Sequence, residues 1–431
     1  MLVKFTIDNY RSFGSSMSLE LMASNGIKDS VEGGFTDTAN GKILNAISFY
    51  GANSSGKTNF LRALGLMRSI VLHSVRLNDN EPLPYEPFLL STREQRPTTM
   101  EVVFYELSDR AQFTYGFSYN QSEIVKEWLQ AKYPKKSAKT LFIRENNNII
   151  QLDEVSFAEG KDKTNIKLNN NRLFLSLIGQ LGGETSNRVI NWFLRSLLVL
   201  SGIDDSSYYK RTRKNVLEDN EYKEGVTSLL CKMKLGFNEF LAEKVDMSNL
   251  PLPQGLPIDL ISQIRNETYI EISTKHNVYD DDGRVAAIRL LNLEEHESAG
   301  TNKIFNLAGP IYESLKNGVA LLVDELDSQM HPLISWRLVE LFNSTETNPN
   351  GAQLVFTTHD THLLSNLLFR RDQIWFVEKN GQESSEIYQM LQATKYLNHS
   401  PRNDSNYQKN YVSGKYGAIP YLTNEPPTED F

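Results

Sequence analysis

The sequence predicts an α/β fold in which a mixed sheet is flanked by helices. A glycine-rich segment, residues 51–58, stands between a short apolar run at 47–50 and a helical pattern that continues from residue 59. Two later apolar runs, 319–323 and 353–358, have the composition of strands buried on both faces. Polar residues follow each run, as expected where parallel strands end at one edge of a sheet.

Composition and charge exclude several classes of protein. With 431 residues, 40% of them hydrophobic, the chain is long enough for one large core or two ordinary ones. No apolar run approaches the roughly 20 residues of a membrane helix, so we expect a cytoplasmic protein with no membrane partner. The net charge of −8 argues against a surface built to coat nucleic acid. Cys231 is the only cysteine, which excludes an intramolecular disulfide, and we expect it to be a buried apolar residue.

The glycine-rich segment matches the phosphate-binding pattern G-x-x-x-x-G-K-[ST]. It consists of Gly51, Ala52, Asn53, Ser54, Ser55, Gly56, Lys57 and Thr58, followed by Asn59. Glycines let backbone N–H groups turn towards phosphates, and the following helix presents its positive N-terminal end. Lys57 is expected to reach the β- and γ-phosphates, and Thr58 to ligate Mg²⁺. The segment therefore predicts a P-loop that binds ATP and Mg²⁺.

Two acidic residues follow the apolar run at 319–323. A carboxylate at such a strand end can hold Mg²⁺ through water, and its neighbour can deprotonate the attacking water. We assign Asp324 to the metal and Glu325 to the catalytic base. Without the P-loop, the same pair would more often be an ordinary boundary between a strand and a loop.

His359 follows the third apolar run and is the second candidate catalytic residue. A histidine at this strand end can hydrogen-bond the γ-phosphate of a bound nucleotide. The alternative is a loop histidine that caps the next helix.

Ser298-Ala299-Gly300 opens a helical pattern just before the acidic strand. A small polar segment at a helix start can bind an anion. Taken alone this signal is weak, because small polar residues begin most helices.

The chain divides into three predicted regions. Residues 1–130 form the first half of the ATPase core, with an antiparallel β subdomain, and residues 266–431 form the second half. Residues 131–265 are predicted to be an inserted, largely helical arm or lid. The arm contains the basic cluster Lys210, Arg211, Arg213 and Lys214, which is either a solvated face or a contact for nucleic acid or an acidic partner.

These motifs together resemble the ATP-binding-cassette (ABC) ATPases of the repair and chromosome-maintenance branch, of RecF, SMC and Rad50 types. The closest likeness is to the AAA15-type, AbiLi/RloA-like ATPases of bacterial anti-phage defence. The resemblance rests on the P-loop and on five further segments: residues 9–13, 297–301, 324–327 with 331–332, 357–360 and 414–420.

The resemblance implies a homodimer that closes around ATP. Ser298 and Gly300 of one copy would bind the γ-phosphate held by Lys57 of another, which gives a head-to-tail ATP sandwich. Asp327 would lie in the loop that crosses the dimer interface, and Gln95 is a candidate for the lid glutamine.

Three functions fit these features. The first is an ATPase subunit of an abortive-infection system that senses infection and controls a separate effector, such as a nuclease or another toxin, because the chain carries no second catalytic constellation. The second is a RecF-like DNA-repair ATPase that binds DNA directly through the basic cluster. The third is a nucleotide-gated scaffold that binds ATP and barely hydrolyses it.

Overall fold

The computed structural model describes residues 1–27, 33–92, 96–163, 168–200, 206–237, 239–245, 269–394 and 401–420. The chain forms two compact units. The first comprises Met1–Gly202, Ser314–Asp327 and Leu338–Phe431, and the second comprises Ile203–Glu313 and Ser328–Arg337.

The strands are numbered in chain order. They are β1 (Leu2–Asp8), β2 (Met17–Glu20), β3 (Phe35–Thr38), β4 (Gly41–Leu44), β5 (Ala46–Tyr50), β6 (Thr98–Tyr105), β7 (Gln112–Tyr119), β8 (Ile124–Lys132), β9 (Lys139–Glu145), β10 (Asn148–Leu152), β11 (Leu197–Leu200), β12 (Phe240–Val245), β13 (Tyr269–Tyr279), β14 (Val285–Asn292), β15 (Ala320–Val323), β16 (Gln353–Thr357), β17 (Ile374–Lys379) and β18 (Ser385–Gln389).

The α-helices are numbered in the same way. They are α1 (Lys57–His73), α2 (Phe174–Gln180), α3 (Glu184–Arg195), α4 (Ser206–Glu218), α5 (Asn220–Met233), α6 (Leu293–His296), α7 (Ala299–Asn317), α8 (Pro332–Asn343) and α9 (Tyr407–Val412). Among the described residues, no helix is both long enough and apolar enough to cross a membrane.

A six-stranded mixed sheet in the first unit carries the P-loop. Its order is β11-β15-β16-β5-β17-β18, with five parallel strands and β18 antiparallel to β17. Every residue of β5, β15 and β16 is buried, which is why their sequences are continuous apolar runs. The predicted α/β fold with a mixed sheet is confirmed.

A seven-stranded antiparallel sheet lies in the same unit, in the order β10-β9-β8-β7-β6-β1-β2. Helix α1 joins the two sheets through Phe60. The Phe60 ring lies 5.5 Å from Phe5 of β1 and 5.4 Å from Phe49 of β5, measured between ring centroids. This aromatic contact anchors the start of α1, where the P-loop ends, in the hydrophobic core of the unit.

The second unit has its own small core. Strands β12, β13 and β14 form an antiparallel sheet. Phe240 of β12 meets Phe305 of α7 edge-to-face at 5.1 Å, and Tyr222 of α5 meets Tyr312 of α7 at 5.2 Å. Aromatic pairs in this geometry stabilise a core beyond the area they bury.

The observed units differ from the predicted regions in the middle of the chain. Strands β9 and β10 fall within the predicted arm, at 131–265, yet they belong to the seven-stranded sheet. Strand β11 also falls within the region predicted to be largely helical, yet it pairs in parallel with β15. A run of four apolar residues is compatible with a buried helix or a buried strand, so periodicity could not separate the two.

Two further expectations differ from the structure. Strands β13 and β14 fall within residues 266–431, the predicted second half of the nucleotide core, but they belong to the three-stranded sheet of the second unit. Cys231 was expected to be buried, but it is exposed near the end of α5. Cys231 is exposed because other residues form the buried apolar face of α5, namely Val226, Leu229, Leu230 and Met233.

Candidate nucleotide-binding site

The P-loop connects β5 to α1, as the sequence predicts. Gly56 precedes the first residue of α1 and has φ 113°, a left-handed conformation that favours glycine. A Cβ atom on Gly56 would lie less than 3.0 Å from the hydroxyls of Ser12 and Ser385. A Cβ on Gly51 would approach the carbonyl oxygen of Val377 equally closely. Both glycines are therefore required by the surrounding structure, whatever the loop binds.

Lys57 is buried within the loop. Its ammonium group donates hydrogen bonds to the carbonyl oxygens of Gly51, at 2.8 Å, and Ala52, at 3.0 Å. Burial lowers the pKa of Lys57 to about 8, although the carboxylates of Asp324, Glu325 and Asp327 act in the opposite direction. The Lys57 ammonium group therefore lies among carbonyl oxygens of the P-loop, close to the acidic residues that follow β15.

Thr357, the last residue of β16, links both acidic candidates. Its hydroxyl donates to Asp324 Oδ1 at 2.6 Å and accepts from the backbone N–H of Glu325 at 2.7 Å. Glu325 has φ 49°, which is uncommon for a residue with a side chain. This backbone turn leaves the Glu325 side chain exposed.

His359 and Asp327 meet at the next strand end. The backbone N–H of His359 donates to Asp327 Oδ2 at 3.3 Å. Partial burial and the nearby Lys57 lower the pKa of His359, while the three acidic residues oppose the shift. The lowered pKa favours the neutral imidazole of His359, which has one N–H donor and one acceptor nitrogen.

One cavity of about 520 Å³ brings together the P-loop, Glu325, Thr357 and His359, whereas Asp324 and Asp327 are not among its lining residues. It is lined by Ser12, Asn53, Ser54, Ser55, Gly56, Lys57, Thr58, Asn59, Glu325, Thr357, His359 and Lys379. Its volume lies in the range of about 300 to 1,000 Å³ that is usual for ligand sites. The structure therefore brings three separate motifs of the sequence to one concave surface.

The P-loop and the residues after β15 supply hydrogen-bonding groups for ATP and oxygen ligands for Mg²⁺. Among the described residues, the buried Ser55 hydroxyl has no hydrogen-bond partner, so the loop holds a polar atom that a phosphate could satisfy. The Thr58 hydroxyl and the Asp324 carboxylate are oxygen ligands of the type that Mg²⁺ prefers.

Four residues of this site were not assigned a role from the sequence: Ser12, Thr357, Lys379 and Ser385. Ser385 donates to the carbonyl oxygen of Ser55 at 2.5 Å, and Ser12 accepts from the Asn59 side chain at 3.0 Å. Ser12 and Thr357 had a signal, since they stand in the motifs at residues 9–13 and 357–360, whereas Lys379 and Ser385 had none. Gln95, the candidate lid glutamine, lies outside the described residues.

Ser298 and Gly300 belong to the second unit, and their local contacts are structural. Ser298 caps α7 by accepting a hydrogen bond from the backbone N–H of Thr301 at 3.1 Å. A Cβ on Gly300 would lie less than 3.0 Å from the carbonyl oxygen of Gln329. Capping and close packing therefore account for both residue types within one copy of the chain.

The parallel sheet, the P-loop between β5 and α1, and the polar residues after β15 and β16 define a P-loop ATPase fold of the ABC type. A family model described as "AAA domain, putative AbiEii toxin, Type IV TA system" matches residues 47–365. The chain belongs to this family. This match supports the predicted kind of ATPase, whereas the AAA15 subtype stays a prediction.

Several solved structures are similar to the chain. One is an SMC head bound to the C-winged helix domain of ScpA, with 13% identity, 90% of this chain and 97% of that chain covered, and a TM-score of 0.47. An SMC head domain from Thermotoga maritima has 14% identity, coverage of 90% and 98%, and a TM-score of 0.34. The recombination mediator protein RecF with ATP has 11% identity, coverage of 90% and 97%, and a TM-score of 0.31. No match was found among the curated proteins.

Proposed function

We propose that this chain is a cytoplasmic, Mg²⁺-dependent ATPase that acts as the nucleotide-driven subunit of a prokaryotic anti-phage defence system of the AAA15 type. The observation that carries the ATPase assignment is that Glu325, Thr357 and His359 line the same cavity as Gly56, Lys57 and Thr58. A P-loop that only held phosphates would not need an exposed carboxylate and a neutral histidine at the same cavity.

Each residue has a defined role in the proposed reaction. Loop N–H groups from Gly51 to Thr58 cradle the phosphates, assisted by Asn59 at the start of α1, and Lys57 neutralises the β- and γ-phosphate charge. Thr58 and Asp324 would hold Mg²⁺, which supplies further neutralisation of phosphate charge when bound. Glu325 accepts a proton from the attacking water, and His359 donates a hydrogen bond to the γ-phosphate.

The proposed active form is a head-to-tail dimer. In it, Ser298 and Gly300 of one copy would face the γ-phosphate held by Lys57 of the other, and Asp327 would lie at the interface. The N-terminus of α7 supports this role, because a helix start presents unpaired N–H groups and a positive dipole end to an anion. ATP binding would then close the dimer, and hydrolysis would open it.

The defence role is supported by the description of the family, which names a toxin of a toxin–antitoxin system. We propose that the dimer controls a separate effector protein, such as a nuclease or another toxin. A phage challenge of cells that carry the complete locus tests this role. Protection should be lost in Lys57→Ala, whereas equal protection by Lys57→Ala and wild type would contradict it.

Turnover of Mg²⁺-ATP by the purified protein tests the enzymatic part. Lys57→Ala should abolish turnover, and Glu325→Gln should slow it by about 10²- to 10⁴-fold while ATP stays bound, since a general base contributes about that much. Glu346→Gln is the matched control, because Glu346 is an exposed glutamate outside the cavity. Turnover by wild type at background level would favour a nucleotide-gated scaffold.

Measurement of molar mass in solution tests the dimer. Glu325→Gln should double in mass on adding Mg²⁺-ATP, because it keeps ATP without hydrolysing it. Ser298→Arg should prevent the doubling while leaving ATP binding to the P-loop intact. A Glu325→Gln protein that stays monomeric with ATP bound would overturn the sandwich.

The second candidate is a RecF-like ATPase that binds DNA directly through the basic cluster. Among the described residues of the second unit, the cluster already forms ion pairs: Arg211 with Glu313, Arg213 with Glu294, and Lys214 with Glu218. Pairing reduces the positive potential available for a phosphate backbone, which favours the first candidate. Salt-dependent binding of duplex DNA, lost on neutralising the cluster, would reverse this preference.

A further inference from the structure

The second unit contains a cavity of about 680 Å³ that the ATPase reaction does not use. One wall is a face of α4, where Tyr209, Arg213 and Leu217 follow at intervals of four residues, with Lys210 and Lys214 beside them. Other walls come from β12, β13, α6 and α7. An adjacent face of α4 is buried through Thr212 and Val216, so its cationic face is held in one orientation.

The charge of this cavity differs in sign from that of the whole chain. Five cationic side chains line it against two acidic ones, Glu218 and Glu294, and the acidic partner of Arg211, Glu313, lies outside the lining, so a positive excess remains after pairing. The cations are Lys210, Arg211, Arg213, Lys214 and Lys244. The complete chain carries −8. A concentration of positive charge in a concave surface of an acidic protein attracts anions selectively.

The cations differ in how firmly they are held. Arg213 is largely buried and donates to Glu294 Oε1 at 2.6 Å, so its guanidinium is fixed. Lys214 is exposed and only loosely paired with Glu218, at 3.9 Å. Among the residues that the structure describes, the ammonium of Lys244 has no partner. Lys214 and Lys244 can therefore turn towards a ligand at small cost.

The same cavity also presents aromatic and amide groups. Tyr209 and Tyr269 line it, and the Tyr269 hydroxyl is fixed by donating to Glu294 at 2.8 Å. Asn306 lines it too, and its buried Oδ1 atom has no hydrogen-bond partner among the described residues. An aromatic ring can stack on a planar ligand, and an unsatisfied amide can accept a hydrogen bond from it.

We propose that this cavity binds a small phosphate ester of mononucleotide size, with the phosphate near Lys214 and Lys244 and the ring near the tyrosines. The volume lies within the range of small-molecule sites, and the cations line one concavity instead of following an extended groove. These two features favour a small ligand over a nucleic-acid strand.

The cavity is lined by residues on both sides of the start of α7. Glu294 of α6 and Asn306 of α7 both line it, and they stand on either side of Ser298 in the sequence. A neighbouring cavity of about 570 Å³ shares Tyr209, Glu294 and Asn306 and also contacts Ala299. A ligand bound at Glu294 and Asn306 would therefore reduce the motion of the segment from Leu293 to Asn306.

Calorimetric titration of Lys57→Ala with 5′-mononucleotides and with inorganic phosphate tests the proposal without interference from the P-loop. We expect one mononucleotide per chain and weaker binding of phosphate alone. Lys214→Gln and Lys244→Gln should each weaken binding about fivefold, the effect of losing roughly 1 kcal/mol of attraction in a partly exposed site. Lys232→Gln, which removes an exposed lysine outside the cavity, should leave affinity unchanged. No binding at millimolar concentration, or equal weakening in all three variants, would overturn the proposal.

Hydrogen exchange locates the ligand. Amides between Leu293 and Asn306 should exchange more slowly when the mononucleotide is bound, and unchanged exchange there would place the ligand elsewhere and overturn the assignment. A single-stranded oligonucleotide provides the competing outcome. If it binds through Lys214 and Lys244 while mononucleotides do not, the cavity belongs to a nucleic-acid surface. All these measurements are independent of ATP turnover, so they fail or succeed separately from the proposed function.

Discussion

The hydroxyl of Thr357 donates a hydrogen bond to Asp324 Oδ1 at 2.6 Å and accepts one from the backbone N–H of Glu325 at 2.7 Å. A single buried side chain at the end of β16 therefore orients both acidic residues that follow β15. Strands β15 and β16 are parallel neighbours, so their ends meet at one edge of the sheet. The position of the proposed base thus depends on a residue 32 positions later in the chain.

Thr357→Val should slow ATP turnover by about 10- to 100-fold, equivalent to about 1.4 to 2.8 kcal/mol. Valine keeps the shape of threonine but leaves Asp324 and the Glu325 N–H without this partner, which should also lower the free energy of unfolding by about 1 to 3 kcal/mol. Steady-state kinetics and chemical denaturation measure the two effects.

Thr358→Val is the control for this prediction. The Thr358 hydroxyl is also buried and also accepts a backbone hydrogen bond, from Asp360 at 2.9 Å. Its loss should cost similar stability with a much smaller effect on turnover. If the two variants lose turnover equally, the hydroxyl of Thr357 has no special role at the acidic pair.

Gly56→Ala should abolish ATP binding and destabilise the protein by roughly 1 to 3 kcal/mol, the usual cost of a strained backbone conformation. The added methyl group meets both a left-handed φ of 113° and the hydroxyls of Ser12 and Ser385. Gly381→Ala is the control, because nothing lies within 4 Å of its Cβ position, and its stability should change by less than about 0.5 kcal/mol. Titration with a fluorescent ATP analogue measures binding, and wild-type affinity in Gly56→Ala would contradict the prediction.

The stability of the protein should depend on pH through Lys57. Its pKa is about 8 in the folded chain against 10.5 for the unperturbed group. Between these values the unfolded chain binds a proton that the folded chain does not, so the free energy of unfolding rises with pH. Below pH 8 the residue is charged in both states, and its contribution does not change.

Chemical denaturation of wild type and Lys57→Met at pH 7 and pH 10 measures this effect, because other titrating groups cancel in the comparison. The difference in free energy of unfolding should move in favour of wild type by about 2 kcal/mol over this interval. A constant difference would show that the pKa of Lys57 is not lowered.

Glu127→Ala should destabilise the protein by about 3 to 5 kcal/mol, since it leaves a buried charge without its partner. Glu127 is fully buried, lies 3.3 Å from the buried Arg144, and accepts hydrogen bonds from the backbone N–H groups of Phe174 and Leu175. It therefore connects strands β8 and β9 to the start of α2.

The matched control for Glu127 is Glu145→Ala on the neighbouring strand. Glu145 pairs with Lys126 at 3.0 Å, but both side chains are exposed. Surface pairs contribute about 0 to 1 kcal/mol, so the cost should be small. Denaturation by guanidinium chloride compares the variants, and equal losses would mean that burial does not decide the strength of these pairs.

The P-loop and the strand ends were predictable because their signals are local. Residues 51–58 carry both the glycines and the lysine in one segment, and the apolar runs before Asp324 and His359 are long enough to identify buried strands. Strand β11 and the region from 139 to 152 were not predictable in the same way. Short apolar runs fit several structures, and only pairing with β15 or β8 decides between them.

The sequence by itself determined the class of fold, the phosphate-binding loop and the identities of the candidate catalytic residues, because each depends on neighbouring residues. The tertiary structure alone decided which distant side chains support them. Ser385 bonds to Ser55 across 330 positions, and Thr357 connects Asp324 to Glu325. These contacts arise from the positions of β15, β16 and β18 in the mixed sheet, and strand order is set by packing of the whole sheet. The cationic cavity of the second unit has the same origin, since α4, β13 and α7 form its walls only after folding.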